Sequence, residues 1–145
     1  AERVQMSGTL RTFDLATRSR ILERMDALLA GVCAAHGASY QLTWRDFTPP
    51  VVNDAAATEH LHAAAVAVLG EDAVAGGPMM MVAEDVSELL ARTPGSFFVL
   101  GAMPESPRPE PHHSPRFDID ERALPLGAAI LAQATFDWLN RHLSR

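Results

Sequence analysis

The sequence contains no lysine, a single cysteine and no apolar run long enough to cross a membrane. All 12 basic residues are arginine, and 18 acidic residues bring the formal net charge to −6. Because the arginines are scattered among more numerous acids, the composition argues against a nucleic-acid partner. Cys33 cannot form an internal disulfide, which predicts a cytoplasmic protein. The longest apolar run, Ala63 to Leu69, is far shorter than the ~20 residues a membrane span needs.

The remaining composition is that of a chain that folds. The 145 residues are 48% apolar, and the 10 prolines and 9 glycines show no period. These values exclude a disordered or fibrous protein and fit one ordinary domain. The first residues, from Ala1 to Val4, have neither a signal-peptide core nor an initiating Met, so we expect a chain that begins within a structural element.

The first third of the sequence predicts a β-α-β arrangement. Apolar and polar residues alternate from Val4 to Arg11, the two-residue period of a half-buried strand. Asp14 is a candidate N-cap for an amphipathic helix that Gly37 ends. A second alternating segment covers residues 40–45 and stops before Pro49 and Pro50.

The rest of the sequence predicts the order α-β-α-β-loop-α. Asn53 or Asp54 caps an alanine-rich helix, and Asp85 with Glu88 forms a capping-box-like start for a short one. Two continuous apolar segments are typical of strands buried on both faces. The predicted helices cover about 54–70, 86–92 and 125–143, and the predicted strands cover 79–83 and 97–100. The proline pair places a crossing between two subdomains at residues 51–53.

The histidines differ in what their positions allow. His60 and His62 are two residues apart on a predicted helix and point about 200° apart, so they cannot hold one ion. His112 and His113 instead lie in a proline-rich loop that follows a predicted buried strand, where α/β proteins place ligand-binding side chains. A metal or catalytic role for one of this pair stands beside the alternative of loop packing or solvent exposure.

Two charged residues are further candidates for a site. Glu84 follows the strand predicted at 79–83 and has no local partner, so it is either a solvated rim residue or a site member. Arg11 lies on the polar side of the first predicted strand. Its guanidinium suits a bidentate contact with a carboxylate or an oxyanion, and surface charge is the alternative.

Five ordered strings of the sequence resemble the M20 metallopeptidase family. The similarity is greatest to its amidohydrolases, which cleave N-acyl amino acids, hippurate and related amides. The strings are Met6-Ser7-Gly8-Thr9-Leu10-Arg11-Thr12-Phe13, Pro50-Val51-Val52-Asn53-Asp54, Met81-Val82-Ala83-Glu84-Asp85, Pro94-Gly95-Ser96-Phe97-Phe98-Val99-Leu100-Gly101 and Pro111-His112-His113-Ser114-Pro115-Arg116-Phe117-Asp118.

The resemblance implies an α/β fold divided between two domains. Family members have a catalytic α/β domain with a two-metal site, interrupted by a smaller ferredoxin-like lid that also forms the dimer. Residues 1–52 are similar to the second half of that lid, a β-α-β unit. Residues 53–145 are similar to the C-terminal α/β part of the catalytic domain.

The resemblance also assigns roles to three residues. His113 resembles the last metal ligand of the family. Arg11 resembles the lid arginine that holds the substrate carboxylate or the developing oxyanion, and Glu84 aligns with a substrate-binding acid at the edge of the site. The implied reaction is hydrolysis of a small-molecule amide by metal-activated water.

Other parts of the family pattern have no counterpart in this sequence. Neither the His-x-Cys-Gly-His-Asp motif nor the Glu-Glu pair is present, and Cys33 lacks the neighbours of the ligand cysteine. We therefore expect the general base upstream of Ala1 and the two divalent ions, zinc or manganese, in a parent enzyme. The 145-residue chain alone is expected to be inactive and to bind metal weakly or not at all.

Two alternatives belong to other functional classes. The first is a non-catalytic dimerisation or interaction module derived from the family, since an uncovered strand edge and an apolar helix face favour self-association. The second is a stand-alone metal-binding domain that uses His113 and Glu84. For this chain we expect a homo-oligomer or pairing with the missing N-terminal part.

Overall fold

A computed structural model of the chain describes residues 2–46, 48–77, 79–106 and 108–143. Its regular elements are helices, and no β-strand is assigned within these ranges. The helices are α1 (Leu15–Ala35), α2 (Ala55–Leu69), α3 (Val86–Leu90) and α4 (Ala123–Leu143), with a 3-10 turn at Glu71–Ala73. Within the described residues, no helix is both long and apolar enough to span a bilayer.

Helix α1 begins and ends at the residues that the sequence predicts. The Asp14 side chain accepts a hydrogen bond of 2.7 Å from the backbone N–H of Thr17, which satisfies one unpaired donor of the first turn. At the other end, Gly37 has a φ of +63°. The N–H of Ala38 donates to the Cys33 carbonyl at 2.9 Å, and that of Gly37 donates to the Ala34 carbonyl. This pairing is a Schellman motif, which glycine accommodates without steric cost.

Helix α2 is capped by Asp54, one of the two residues predicted for this role. The Asp54 side chain accepts from the N–H of Ala57 at 2.9 Å. The preceding residue, Asn53, pairs with Phe97 through both groups of its amide: Nδ2 donates to the Phe97 carbonyl and Oδ1 accepts from the Phe97 N–H, each at 2.9 Å. The Asn53 side chain thus fastens the segment before α2 to the segment around Phe97.

Among the described residues, the buried apolar ones belong to α2 and α4, two helices that contact each other. They are two small residues of α2 and two residues of α4: Ala64, Ala65, Ala123 and Ile130. Alanine at the contact lets the two helices approach closely, since the distance between helix axes follows the size of the side chains there. His60 adds a polar link between the helices, with its Nε2 2.7 Å from the carbonyl oxygen of Ala134.

Helix α3 is shorter than predicted and is not started by a capping box. It covers five residues, and Asp85 has helical dihedral angles, φ −63° and ψ −25°; its side chain accepts no hydrogen bond from a backbone N–H of the helix start. An N-cap side chain reaches the backbone N–H groups of the first turn from an extended conformation. The helical backbone of Asp85 removes that geometry, so the capping prediction is wrong.

The predicted strands are not found as a paired sheet. Residues 4–11, 40–45, 79–83 and 97–100 have neither helix nor strand assignment. Met79 to Val82, predicted to be buried on both faces, are exposed by 45% to 78%. A strand requires a neighbour that completes its ladder of hydrogen bonds. The β-α-β arrangement of the first third and the parallel strands of the rest therefore stay predictions.

The chain divides into two compact units. One contains Ala1–Val52 and Met79–Thr93, and the other contains Asn53–Pro78 and Pro94–Arg145. Helices α1 and α3 belong to the first unit, and α2 and α4 belong to the second. The assignment of residues 1–52 to a lid and 53–145 to a catalytic domain stays a prediction.

Candidate functional site

The three predicted site residues lie in different units of the structure. Arg11 and Glu84 belong to the first unit, and His113 belongs to the second.

His113 lies in a loop made of two consecutive turns, which we call the histidine loop, residues 110–117. The N–H of Ser114 donates to the Pro111 carbonyl at 3.1 Å, and the N–H of Phe117 donates to the Ser114 carbonyl at 3.0 Å. His113 occupies the third position of the first turn with a φ of +68°, and no other non-glycine residue in the described part of the chain has positive φ. This conformation costs a residue with a side chain about 1–2 kcal/mol.

The two adjacent histidines have different surroundings. The ring of His112 packs against that of Phe117, with ring centroids 4.8 Å apart and planes tilted by 33°. The exposed ring of His113 makes no hydrogen bond, ion pair or ring contact with another described residue. Both residues are exposed, so the difference between them is the packing of the His112 ring on Phe117, while the His113 ring is left open to a ligand.

A carboxylate that sequence reasoning did not single out fastens the histidine loop. Glu110 accepts a hydrogen bond from the Ser114 hydroxyl at 2.9 Å through Oε2, and one from Arg116 Nε at 2.9 Å through Oε1. A terminal nitrogen of the Arg116 guanidinium lies 2.7 Å from the same Oε1. The signal in the sequence was an acid placed four residues before a serine and six before an arginine.

Arg11 lies three residues before the N-cap of α1. Its side chain is exposed, and it forms no hydrogen bond or ion pair with another described residue. Nearby, the Thr12 hydroxyl donates to the Asp14 carbonyl at 3.0 Å, which fixes the chain between Arg11 and the helix. The guanidinium is consequently free to contact an anionic group.

Glu84 lies two residues before α3. Its carbonyl oxygen accepts from the N–H of Ser87 at 3.1 Å, so its backbone is tied to the start of that helix. The residue is half-buried, and its carboxylate has no partner among the described residues. Both roles predicted for Glu84, a solvated rim residue and a site member, stay predictions.

The described residues do not form a metal site by themselves. Within them, no group of three or more His, Cys, Asp or Glu side chains is arranged to hold an ion. A zinc site requires at least three protein ligands. The exposed imidazole of His113 is chemically suited to be one of them, and the donors present do not suffice for a metal ion.

An open depression of about 330 Å³ lies near the start of α4, with Asp120 and Arg122 on its wall. Arg122 Nε donates to both carboxylate oxygens of Asp120 at 2.9 Å, and its NH2 group lies 3.5 Å from Glu105. The hydrogen bonds from Arg122 lower the pKa of Asp120, and those same bonds raise the pKa of Arg122. Because Arg122 is already neutralised, the depression offers no free cation to an anionic ligand.

Comparison with known proteins identifies a family for this chain. Residues 5–137 match peptidase family M20/M25/M40. A Bacillus subtilis (strain 168) protein named as an amidohydrolase, YhaA, is 38% identical over 139 residues, which are 95% of this chain and 35% of the relative. An IAA-amino acid hydrolase ILR1-like 2 of Arabidopsis thaliana is 31% identical, over 98% of this chain and 33% of the relative. The N-acetylcysteine deacetylase of Bacillus subtilis (strain 168) is 31% identical, over 91% of this chain and 33% of the relative.

The chain thus spans about a third of the length of these relatives. No solved structure matches it. The family match runs through the segment of Arg11, the segment of Glu84 and the histidine loop. The chain belongs to peptidase family M20/M25/M40.

Proposed function

We propose that this chain is the C-terminal part of a metal-dependent amidohydrolase that cleaves the amide bond of N-acyl amino acids or related small amides and peptides. The observation that carries the proposal is the family match over residues 5–137, which runs through a loop that leaves the His113 ring without a partner among the described residues. Two relatives have names that describe hydrolysis at an acylated amino acid, IAA-amino acid hydrolase and N-acetylcysteine deacetylase.

In this proposal the chain contributes a few groups to a larger site. His113 supplies one metal ligand, Arg11 binds the substrate carboxylate or the oxyanion, and Glu84 contacts the substrate at the edge of the site. The metal ions, zinc or manganese, activate water and polarise the scissile carbonyl when bound. Residues outside this chain supply the other ligands and the general base, which is supported by the chain's covering only about a third of its relatives.

The proposed architecture follows the same division. Residues 1–52 form the β-α-β second half of a lid, and residues 53–145 form the C-terminal α/β part of the catalytic domain. Helix α1 is the helix of that half lid. In the longer protein, strands contributed by other residues would complete the ladders that the segments 4–11 and 79–83 lack in this structure.

Hydrolysis assays test the proposal directly. The 145-residue chain, with zinc or manganese added, is expected to release no amino acid from N-acetyl or N-benzoyl amino acids. A longer protein that contains this chain is expected to be active and to lose most of its kcat/KM in the His113→Ala variant. His62→Ala, which changes an exposed histidine of α2, is the matched control and should retain activity. Activity of the short chain alone, or a fully active His113→Ala enzyme, would contradict the proposal.

A second candidate function is a non-catalytic dimerisation or interaction module. The observation that favours it is the exposure of large apolar side chains on α1, including Leu28 at 60% and Val32 at 59%. Such a surface associates with a second copy or with another protein. Hydrolase activity of a longer protein that contains this chain would support the enzyme, whereas a longer protein that forms a stable homodimer and hydrolyses no N-acyl amino acid would support the module.

A further inference from the structure

The histidine loop is closed by one side chain that touches both of its turns. Glu110 is a little over a quarter exposed, and its two oxygens face different partners, the hydroxyl of Ser114 and the guanidinium of Arg116. Ser114 stands at the junction, because its N–H closes the first turn and its carbonyl closes the second. Its hydroxyl also accepts from the N–H of Arg116 at 3.2 Å.

We call the hydrogen bonds of Glu110 to Ser114 and Arg116 the bracket. It encloses His113, the only non-glycine residue with positive φ in the described part of the chain. A side-chain-bearing residue keeps that conformation only when its surroundings fix the chain on both sides. On one side the first turn begins at Pro111, directly after Glu110. On the other side Ser114 and Arg116 are held by the same carboxylate.

The two histidines of the loop have different contacts. His112 is retained against the ring of Phe117, at the far end of the loop, while the ring of His113 has no partner among the described residues. Both consequences depend on the two turns keeping their relative orientation. Glu110 is the group that bridges those turns.

We propose that Glu110 is a positioning residue, whose carboxylate bridges Ser114 and Arg116 and thereby holds His113 outward in its left-handed conformation while His112 stays packed on Phe117. The inference rests on the proposed function for the use of His113 as a ligand. The conformational part concerns this chain alone and can be tested without metal.

The test compares the reaction rates of the two histidines with diethyl pyrocarbonate, resolved by tandem mass spectrometry in the metal-free chain. In the unchanged chain His113 should react faster than His112. In Glu110→Ala the two rates should converge, because the loop no longer distinguishes the rings. Glu105→Ala is the matched control. Glu105 also lies in the proline-rich loop, but its side chain is 91% exposed and makes only a long contact of 3.5 Å with Arg122. An unchanged ratio in Glu110→Ala overturns the proposal.

His60, bonded to the Ala134 carbonyl, reports general unfolding in the same experiment. If the reaction rate of His60 also rises in Glu110→Ala, the Ser114→Ala variant gives the deciding measurement. It removes one hydrogen-bond partner of Glu110 and leaves the Glu110 carboxylate in place. Convergence of the two rates in Ser114→Ala supports the proposal, and a retained difference overturns it.

Zinc titration of a longer protein that contains this chain separates this inference from the proposed function. Glu110→Ala should weaken zinc binding about tenfold, as loss of a group that orients a ligand does. His113→Ala with unchanged zinc affinity would refute the proposed function, whatever the histidine ratio shows. Zinc affinity unchanged in Glu110→Ala but lowered in His113→Ala would refute the positioning role alone.

Discussion

At the scale of single residues, Ser87 is a polar side chain in a buried position, where an unpaired polar group costs free energy of folding. It is 1% exposed, and its hydroxyl has no hydrogen-bond partner among the described residues. Burying a hydroxyl without a partner costs about 1–3 kcal/mol relative to leaving it in water. Ser87 therefore destabilises the chain as it stands.

We expect Ser87→Ala to raise the free energy of unfolding by about 1–2 kcal/mol, because the substitution removes the unpaired hydroxyl and improves helix propensity. Urea denaturation measures the change. Ser19→Ala, at an exposed position of α1, is the control and should gain only the propensity part, about 0.5 kcal/mol. Equal gains at the two positions would show that the Ser87 hydroxyl has a partner in solution.

Asp14 gives α1 a dependence on pH. The hydrogen bonds from Thr17 lower the pKa of Asp14 below its ordinary value of 3.8. A lowered pKa means that the carboxylate stabilises the folded state above about pH 4 and that this contribution is lost as the pH falls through the folded value. Asp14→Asn keeps a cap acceptor but cannot titrate.

The melting temperature of Asp14→Asn should therefore approach that of the unchanged chain as the pH is lowered from 7 to 3. Thermal melts followed by circular dichroism at 222 nm measure the difference. Asp72→Asn, in the exposed 3-10 turn, controls for the loss of one negative charge. A difference that stays constant across this pH range contradicts the assigned role of the Asp14 carboxylate.

At the scale of elements, the contact between α2 and α4 holds the second unit. Its apolar part is made of small residues with Ile130, and its polar part is the His60 bond to the Ala134 carbonyl. Gly127 of α4 lies against Leu100, since a Cβ at Gly127 would be 3.2 Å from a terminal carbon of the Leu100 side chain. The first turns of α4 thus lie close to the segment 97–100, and Asn53 fastens that segment to the start of α2.

His60→Ala is expected to lower the free energy of unfolding by about 1–2 kcal/mol, because it removes a hydrogen bond and side-chain volume between the two helices. His62→Ala, two residues along the same helix and exposed, should change stability by less than about 0.5 kcal/mol. Chemical denaturation of the two variants gives the comparison. Equal effects would mean that the α2 to α4 contact does not depend on the His60 side chain.

At the scale of the whole molecule, much of the apolar surface is uncovered. No residue of α1 is buried, although its sequence has a clear apolar face. In α4, Leu124, Leu131 and Phe136 are each more than half exposed. Exposed apolar area of this kind drives association or aggregation unless other protein covers it.

We expect the isolated chain to bind the dye ANS and to show a mass in light scattering that rises with concentration. Leu28→Glu should reduce both signals, because Leu28 and Val32 are one turn apart on the exposed face of α1. Ala27→Glu, at the neighbouring exposed position, is the control and should have a smaller effect. A strictly monomeric chain that binds no ANS would contradict this prediction.

The sequence by itself determined helices α1 and α2 and the family. Asp14, Asp54 and Gly37 act through their own backbone neighbours, so the ends of α1 and α2 follow from residues a few positions away. The family was likewise readable from ordered strings, each within about a dozen residues, and the match over residues 5–137 confirms it. Local chemistry of this kind needs no knowledge of distant parts of the chain.

Only the tertiary structure decided which of these residues meet. The amide pairing of Asn53 with Phe97 joins residues 44 positions apart, and the bond of His60 to Ala134 joins residues 74 apart. The different surroundings of His112 and His113, and the helical conformation that removes the Asp85 cap, also had to be seen in space. Strands are the extreme case, because a ladder needs a partner strand, and an alternating pattern in one segment cannot supply the partner.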